Sequence, residues 1–404
     1  MKIIAFLLGI LIAWVPTLHS EGIFFTNVNS PVYNSRENIR QALKVVSDLG
    51  LKVVYPCVWN KNYAFWNSKK VAEVLGTQSI SLYGQRDILQ EFIDEAKPFG
   101  IKVVPWFEYG LKVVLKKGDD AKSSTWTQSG KKFASLGWLT HKQNGNKALP
   151  FKWGVQKGFL SPSNPEVIEF LNILVKELSE YSVDAVLIDD HFSMKPGFGY
   201  DEYSNQLAAK YNANGMFPAR KKLVTDSITD LLILLGSTIR ASGKRFILSP
   251  AGDLNFSKGQ WMQDWYRVVR AGVVDQLLMQ VYRYNLNGFK QLTNNTTFNE
   301  CARYSDLGVV VLSGLKNNSS MDANLIQSQT RYAQTKNMKI SYFYYDSLLV
   351  PARGKETGAQ RVNKMKDTLR STAYKPTPSP SRSQLSTYTT NEKDNSRDYF
   401  EDLF

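Results

Sequence analysis

The 404-residue sequence is poor in cysteine and histidine, with two of the first and three of the second. Cys57 and Cys301 lie in apolar or helical surroundings, so we expect buried free thiols, although one disulfide between them is compatible with the sequence. Beyond the first 20 residues the only histidines are His141 and His191. Because catalytic zinc sites usually draw on several histidines, this scarcity disfavours a metal enzyme, and we expect no cofactor.

The motifs of several enzyme classes are also missing. No strand-to-helix junction has the GxGxxG or GxxxxGK[ST] pattern of a phosphate-binding loop. There is no GxSxG, and Ser249 precedes a proline without an evident histidine partner, which disfavours a serine nucleophile. No nucleic-acid-binding module matches either. A formal charge of +14, from 50 basic and 36 acidic residues, favours a polyanionic partner such as an acidic cell-wall polymer or an anionic lipid surface.

The two ends of the chain differ in character from the middle. Residues 1–20 contain one lysine and the apolar run Ile3–Val15, the proportions of a secretory signal. Leu18 stands where a small residue is preferred for cleavage, so an uncleaved membrane anchor is the alternative. Residues 372–404 are rich in Ser, Thr and Pro and are predicted to be disordered. We therefore expect a secreted or periplasmic protein with one folded domain over residues 21–371.

Strand and helix signals alternate along this domain. Apolar β-rich runs are followed by helices with good N-terminal caps, such as Ser35 and the pair Asn164-Pro165. Eight strands with intervening helices predict an α/β fold of the (β/α)8 barrel type, and an open doubly wound sheet is the alternative. A long loop, residues 110–163, follows the third strand. The predicted strands are Gly22–Asn27, Lys52–Trp59, Lys102–Tyr109, one within Val183–Phe192, Arg245–Pro250, Gln276–Tyr282, Val309–Leu312 and Lys339–Asp346.

Polar and aromatic residues follow most of these strands at their C-terminal ends, where ligands bind in barrels. Carboxylates, amides and aromatic faces are the mixture that a sugar requires, because sugar C–H faces stack on rings while hydroxyl groups need hydrogen-bond partners. The predicted substrate-binding residues are Asn27, Trp59, Asn60, Trp106, Asp190, His191, Gln280, Tyr282 and Asp346, with Trp59 and Trp106 as stacking platforms.

Asp189 and Glu108 are the predicted catalytic pair. They end adjacent strands, which lie about 5 Å apart, so that their carboxyl groups can act as nucleophile or base and as acid. The sequence does not decide between a retaining and an inverting mechanism. Strand alternation predicts that only one of Asp189 and Asp190 points into the barrel. Two other functions stay open: a non-catalytic carbohydrate-binding barrel, and a deacetylase with a metal ion held by Asp189, Asp190 and His191.

Several segments resemble the bacterial glycosyl hydrolase family 10-like barrel proteins, in particular the version common in cyanobacteria. The resemblance extends from about Gly22 to Leu349. The matching segments are Phe25–Val28, Ser35–Asn38, Val54–Asn60, Pro105–Gly110, Val183–Phe192, Phe198–Asp201, Leu248–Pro250, Gln263–Trp265, Gln280–Arg283 and Leu312–Lys316.

This resemblance implies a barrel in the cell envelope that hydrolyses a glycan, and some relatives act on peptidoglycan strands stripped of their peptides. The stretch ending in Asp189 is also similar to the fourth strand of α-amylase-type barrels, whose final Asp is the nucleophile. The chain departs from these patterns at three places. Leu187 replaces an arginine, the fifth strand supplies no glutamate, and Asp346 stands where relatives tend to have glutamate. The expected partner is a polysaccharide and not a nucleic acid, with possible membrane association through the N-terminal segment.

Overall fold

The computed structural model describes residues 22–26, 30–80, 82–212, 217–314, 320–350 and 356–370. The predicted signal or anchor, Asn27 and the predicted tail lie outside the described residues. None of the helices in these ranges has the length and apolarity that a bilayer span requires. Cys57 and Cys301 are buried free thiols, as expected.

Eight parallel strands form one sheet, in which strand order follows chain order. Each strand is short and almost entirely buried, as parallel strands covered on both faces are. The strands are β1 (Gly22–Phe25), β2 (Val53–Pro56), β3 in two pieces (Lys102–Val103 and Trp106–Phe107), β4 (Ala185–Asp189), β5 (Arg245–Ser249), β6 (Gln276–Val281), β7 (Asp306–Leu312) and β8 (Lys339–Phe343).

The sheet closes on itself at Trp106. The first piece of β3 pairs with β2 and the second pairs with β4. Pro105, which has no N–H, lies between the two pieces. The backbone of Trp106 pairs in parallel with Cys57 on one side and with Leu187 on the other. The two ends of the sheet therefore belong to one strand, and the predicted (β/α)8 barrel is confirmed over the open sheet.

Helices pack around this ring of strands. Ser35 and Asn164 cap α1 and α5 through their side chains, with Pro165 in the first turn of α5, as the sequence predicts. The helices are α1 (Arg36–Asp48), α2 (Lys69–Leu75), α3 (Ile88–Ala96), α4 (Gln128–Ser135), α5 (Pro165–Glu180), α6 (Glu202–Lys210), α7 (Phe217–Ala241), α8 (Leu254–Gln260), α9 (Trp265–Arg270), α10 (Leu286–Thr293), α11 (Thr296–Glu300), α12 (Ala323–Thr335), α13 (Tyr345–Leu349) and α14 (Gly358–Arg370), with 3₁₀ turns at Pro31–Asn34, Thr77–Ser79, Lys97–Phe99 and Cys301–Arg303.

The long connection after β3 has a sheet of its own. Residues 110–163, here called the insertion, contain α4 and three antiparallel strands, Lys112–Lys117, Thr125–Trp126 and Val155–Phe159. The chain leaves the barrel at Leu111 and returns at Leu160, whose N–H donates to the Leu111 carbonyl at 2.8 Å. The connection is as long as predicted, but it contains a helix and three strands that the sequence analysis did not assign.

Aromatic rings fill the interior of the barrel. Phe24 from β1 lies 5.2 Å from Trp106 and 5.9 Å from Phe343, measured between ring centroids. Tyr282, which follows β6, stacks on Phe343 at 5.5 Å. Edge-to-face and offset arrangements of this kind are the favourable ones for aromatic pairs. The polar residues at the C-terminal ends of the strands therefore lie above an apolar floor.

Helix α14 is fastened to the barrel by a fully buried arginine. The Arg361 guanidinium donates to the carbonyl oxygens of Leu348, at 2.6 Å, and of Met321, and it pairs with Glu356 at 2.8 Å. A buried charge is tolerated only with such partners. These contacts join the C-terminal helix to the segments that follow β7 and β8.

We expect Arg361→Ala to lower the free energy of unfolding by about 3 kcal/mol, because three acceptors lose their donor and a cavity replaces the side chain. Urea denaturation monitored by circular dichroism measures the change. The matched control is Asn363→Ala, an exposed position on the same helix. Equal stability of both variants would show that α14 is not held through Arg361.

Candidate active site

Asp189 lies at the C-terminal end of β4 with its carboxylate inside the barrel. Its Oδ2 accepts a hydrogen bond from the Trp106 indole Nε1 at 2.8 Å. Its Oδ1 accepts one from the backbone N–H of His191 at 2.9 Å. Only 2% of Asp189 is exposed. The carboxylate is thus fixed by two N–H donors immediately above the aromatic floor.

Asp190 and His191 belong to the same cluster. Gln280, from β6, donates to Asp190 Oδ1 at 3.0 Å and to the Ser249 carbonyl at 2.9 Å. The Nδ1 atom of His191 lies 3.3 Å from both carboxylate oxygens of Asp189 and 3.6 Å from Asp190 Oδ1. The prediction that alternation separates the two acids is wrong, because β4 ends at Asp189 and the chain turns before Asp190.

Glu108 follows the second piece of β3 on the inner side. Strand alternation directs Trp106 inward and Phe107 outward, so Glu108 is inward again. Its Oε2 accepts hydrogen bonds from Asn60 Nδ2 and from the Cys57 thiol, which lies 3.1 Å away. Both donors come from the segment after β2. Two neighbouring strands thus hold the Glu108 carboxyl group in place.

Burial dominates the acid–base properties of these carboxyl groups. It raises the pKa of Glu108 and of Asp190 above their ordinary values, and raises that of Asp189 well above. The charges of Asp190 and Glu108 raise the pKa of Asp189 further. The negative charge of one acid in the cluster disfavours ionisation of the next. The cluster therefore favours states in which one carboxyl group is protonated while another is charged.

Two lysines of the insertion act on the cluster from the side. The positive charge of Lys112 lowers the pKa of Asp190, and that of Lys157 lowers the pKa of Glu108. Burial and both of these charges lower the pKa of His191 well below 6.5, so the imidazole is neutral. The sequence analysis did not identify either lysine, because the strands that carry them were not predicted. No local sequence pattern indicated them, because tertiary packing brings both lysines to the cluster.

Gln263 is a second residue that the sequence analysis did not place in the site. Its Nε2 donates to the carbonyl oxygens of Asp189 at 3.2 Å and of Phe192 at 3.1 Å. These bonds hold the turn that contains Asp190 and His191. Gln263 belongs to one of the segments that resemble the family, and this resemblance could have indicated that it contributes to the site.

The structure assigns different positions to the remaining predicted residues. Trp59 is fully buried against Phe107, at 5.8 Å, and Phe170 of α5, so the prediction that it stacks on a sugar is wrong. Trp106 bonds to Asp189 and packs edge-to-face in the floor, so it is a positioning residue and not a platform. The Asp346 carboxylate accepts a hydrogen bond from the Ser30 hydroxyl group at 3.2 Å. This bond is separate from those described above for the carboxyl cluster.

Several buried polar atoms at or just beyond the C-terminal ends of the strands make no hydrogen bond within the described part of the chain. They are Asn60 Oδ1, Ser249 Oγ, Gln280 Oε1 and Asp346 Oδ2. Buried polar groups are rarely left without partners, and exceptions concentrate at functional sites. Acceptors and a hydroxyl at several strand ends suit a ligand rich in hydroxyl groups.

Asp189, Asp190 and His191 could also hold a metal ion. One ligand atom from each lies within 4.8 Å of the others. A neutral imidazole and two carboxylates are suitable ligands for zinc. The positive charge of Lys112, which acts on both acids, opposes a cation there.

The sequence matches the family model of glycosyl hydrolase-like 10 over residues 20–334. The chain belongs to the glycosyl hydrolase-like 10 family. The match includes both predicted catalytic residues and ends within α12, so it confirms the resemblance that the strand-end motifs indicated. The narrower likeness to the cyanobacterial version stays a prediction. No curated protein sequence matches this glycosyl hydrolase-like 10 chain.

Three solved structures with a similar fold have names that describe glycosidases. The glycoside hydrolase domain of PgaB (BpsB) from Bordetella bronchiseptica has a TM-score of 0.55 at 10% identity, with 80% of this chain and 93% of that one covered. The catalytic domain of β-amylase from Paenibacillus polymyxa has a TM-score of 0.55 at 11% identity, with coverages of 88% and 99%. A putative α-L-fucosidase from Bacteroides thetaiotaomicron has a TM-score of 0.53 at 10% identity, with coverages of 91% and 99%. The family and these likenesses establish a glycosidase fold.

Gly110, directly after the Glu108 segment, touches the turn that holds His191. A Cβ atom at this position would lie 2.1 Å from the Phe192 ring. We expect Gly110→Ala to displace that ring and to destabilise the fold by about 2 kcal/mol, as overpacking does. Thermal unfolding measures this effect. The control is Gly259→Ala in α8, where a Cβ atom meets nothing within 4 Å; equal melting temperatures for the two variants would contradict the close packing.

Proposed function

We propose that the protein is a glycoside hydrolase that uses Asp189 as nucleophile or base and Glu108 as general acid. The observation that supports this most is the convergence of the two carboxyl groups from adjacent strands at one end of a closed barrel. Both are buried, and each has its own set of hydrogen-bond donors. A pair of carboxyl groups with distinct surroundings is what glycosidic bond cleavage requires.

The donors favour this division of roles. Asp189 accepts from an indole and a backbone N–H, which stabilise its charged form. Glu108 accepts from an amide and from a thiol, which is a weak donor. Protonation of Glu108 also removes one of the two negative charges that raise the pKa of Asp189. With Glu108 protonated, Asp190 is the one remaining acid whose charge raises the pKa of Asp189.

In this mechanism Glu108 donates its proton to the oxygen of the leaving sugar while the bond to the anomeric carbon breaks. Asp189 either forms a bond to that carbon or removes a proton from the attacking water. Asn60 and Gln280 each have a free side-chain oxygen that can accept from sugar hydroxyl groups. His191 orients the Asp189 carboxylate through its backbone N–H and its Nδ1 atom, and it also contacts Asp190.

The proposed substrate is a cell-wall or matrix polysaccharide, such as peptidoglycan strands freed of their peptides. The signal-like residues 1–20 support a secreted or periplasmic location, and the charge of +14 suits an acidic wall. Retention of residues 1–20 would instead tether the enzyme to a membrane. The alternatives are a barrel that binds glycans without cleaving them and a metal-dependent deacetylase.

We expect Asp189→Asn and Glu108→Gln each to lower turnover at least about 100-fold, because each removes one acid–base partner. Mass spectrometry of products from intact and peptide-stripped peptidoglycan strands measures this. The matched control is Asp184→Asn, an exposed acid paired with Lys102 at the opposite end of the same strand region.

Shortened oligosaccharides from wild type and Asp184→Asn alone would support the proposal. Strands left whole by every protein would exclude this substrate, and binding without turnover would favour the non-catalytic barrel. Loss of acetyl groups that a chelator stops and zinc restores would favour the deacetylase.

The pH profile tests the role of Glu108. A general acid must be protonated, so activity should fall as the pH rises through the raised pKa of Glu108. The Asn60 hydrogen bond lowers that pKa. We therefore expect Asn60→Ala to move the alkaline limb of kcat/KM to higher pH. An unchanged limb in Asn60→Ala would assign the alkaline limb to another group.

A further inference from the structure

A cavity of about 460 Å³ lies between the insertion and the loop that follows β4. Insertion residues line one side, and Lys195, Phe198 and Trp261 line the other. Among the described residues that line it there is no carboxylate. The cavity is lined by five lysines: Lys112, Lys142, Lys152, Lys157 and Lys195.

Two of these lysines are deeply placed. Burial lowers the pKa of Lys112 to about 8 and that of Lys157 to about 7, and the charge of Lys112 lowers the pKa of Lys157 further. The charges of Asp190, Asp189 and Glu108 favour the charged form of Lys112, and that of Glu108 favours the charged form of Lys157. A carboxylate bound in the cavity would act on both lysines in the same direction.

Aromatic rings lie under the ammonium groups. Lys195 Nζ lies 4.1 Å and Lys112 Nζ 5.2 Å from the Trp261 ring centre, and Lys157 Nζ lies 5.0 Å from that of Tyr109. Cation–π contacts of this kind orient the ammonium groups. Trp153, which is 62% exposed, adds a ring face that a sugar can stack on.

The same lysines connect the cavity to the carboxyl cluster. The charges of Asp190, Asp189 and Glu108 all act on Lys112, and the charge of Glu108 acts on Lys157. Lys112 and Lys157 thus belong both to the lining of the cavity and to the surroundings of the cluster. A glycan that passes the cluster would therefore place a neighbouring sugar in the cavity.

We propose that this cavity is a subsite for a sugar residue that bears a carboxylate, so that the protein selects acidic glycans. The inference rests on the proposed function only for the statement that the bound glycan is the substrate. Ammonium groups recognise the carboxylate, and the aromatic rings contact the sugar face. The carboxylate could belong to a lactyl ether on a peptide-free peptidoglycan strand or to a uronic acid.

Binding tests the subsite separately from catalysis. In the Asp189→Asn background, which prevents turnover, we would titrate peptide-free peptidoglycan oligosaccharides and the same oligosaccharides with their carboxylates converted to methyl amides. A second pair of probes is an oligogalacturonate and its carboxyl-reduced form. We expect at least one acidic probe to bind about tenfold more tightly than its neutral partner, as measured by isothermal titration calorimetry.

Substitutions of single lysines test whether the cavity causes the preference for acidic probes. Lys112→Met and Lys157→Met should each remove most of this preference, whereas Lys52→Met should keep it. Lys52 is exposed and precedes β2, at the end of the barrel opposite the site, so it controls for the loss of one positive charge. The acidic probe that binds identifies the source of the carboxylate.

Equal affinities for acidic and neutral probes, no binding of either acidic probe, or an equal loss in Lys52→Met would overturn the subsite. Acid-selective binding by a wild-type protein that cleaves nothing would support the subsite while contradicting the hydrolase.

Discussion

Trp106 joins the fold to the site. Its backbone pairs with the strands on both sides and closes the barrel, and its indole N–H holds Asp189 at 2.8 Å. Its ring packs against Phe24 and Phe343 in the interior. A residue with all three contacts fixes where the carboxylate lies relative to the sheet. The precision of the site therefore depends on closure of the ring of strands.

The site combines negative charge with an apolar floor. Asp189, Asp190 and Glu108 are all buried, and burial is the largest cause of their raised pKa values. Indole, amide, thiol and backbone donors partly offset this cost. The lysines of the insertion add positive charge from one side. Burial and the mutual repulsion of the acids thus raise the pKa of Asp189, while its donors lower it.

Much of the architecture could be predicted from the sequence, because strand and helix signals alternate and no competing phosphate-binding motif occurs. The same rule placed Asp189 and Glu108 together, since parallel strands end at one face. The same rule wrongly predicted that Trp59 would face the site. After β2 the chain forms a hairpin, Trp59–Asn60 with Tyr63–Ala64, which places Asn60 beside Glu108 but packs Trp59 against α5. Lys112 was missed because only tertiary packing places it beside Asp190.

The insertion begins and ends at one point of the barrel, where Leu160 bonds to Leu111. Its length and sequence can therefore change while the ends of β3 and β4 keep their positions, in the way that a surface loop tolerates insertion. Lys112 and Lys157 lie between these two points, and their charges act on Asp190 and Glu108. Exchange of the segment between Leu111 and Leu160 among related barrels would therefore change the electrostatic surroundings of the carboxyl cluster while the strands that carry it stay in place.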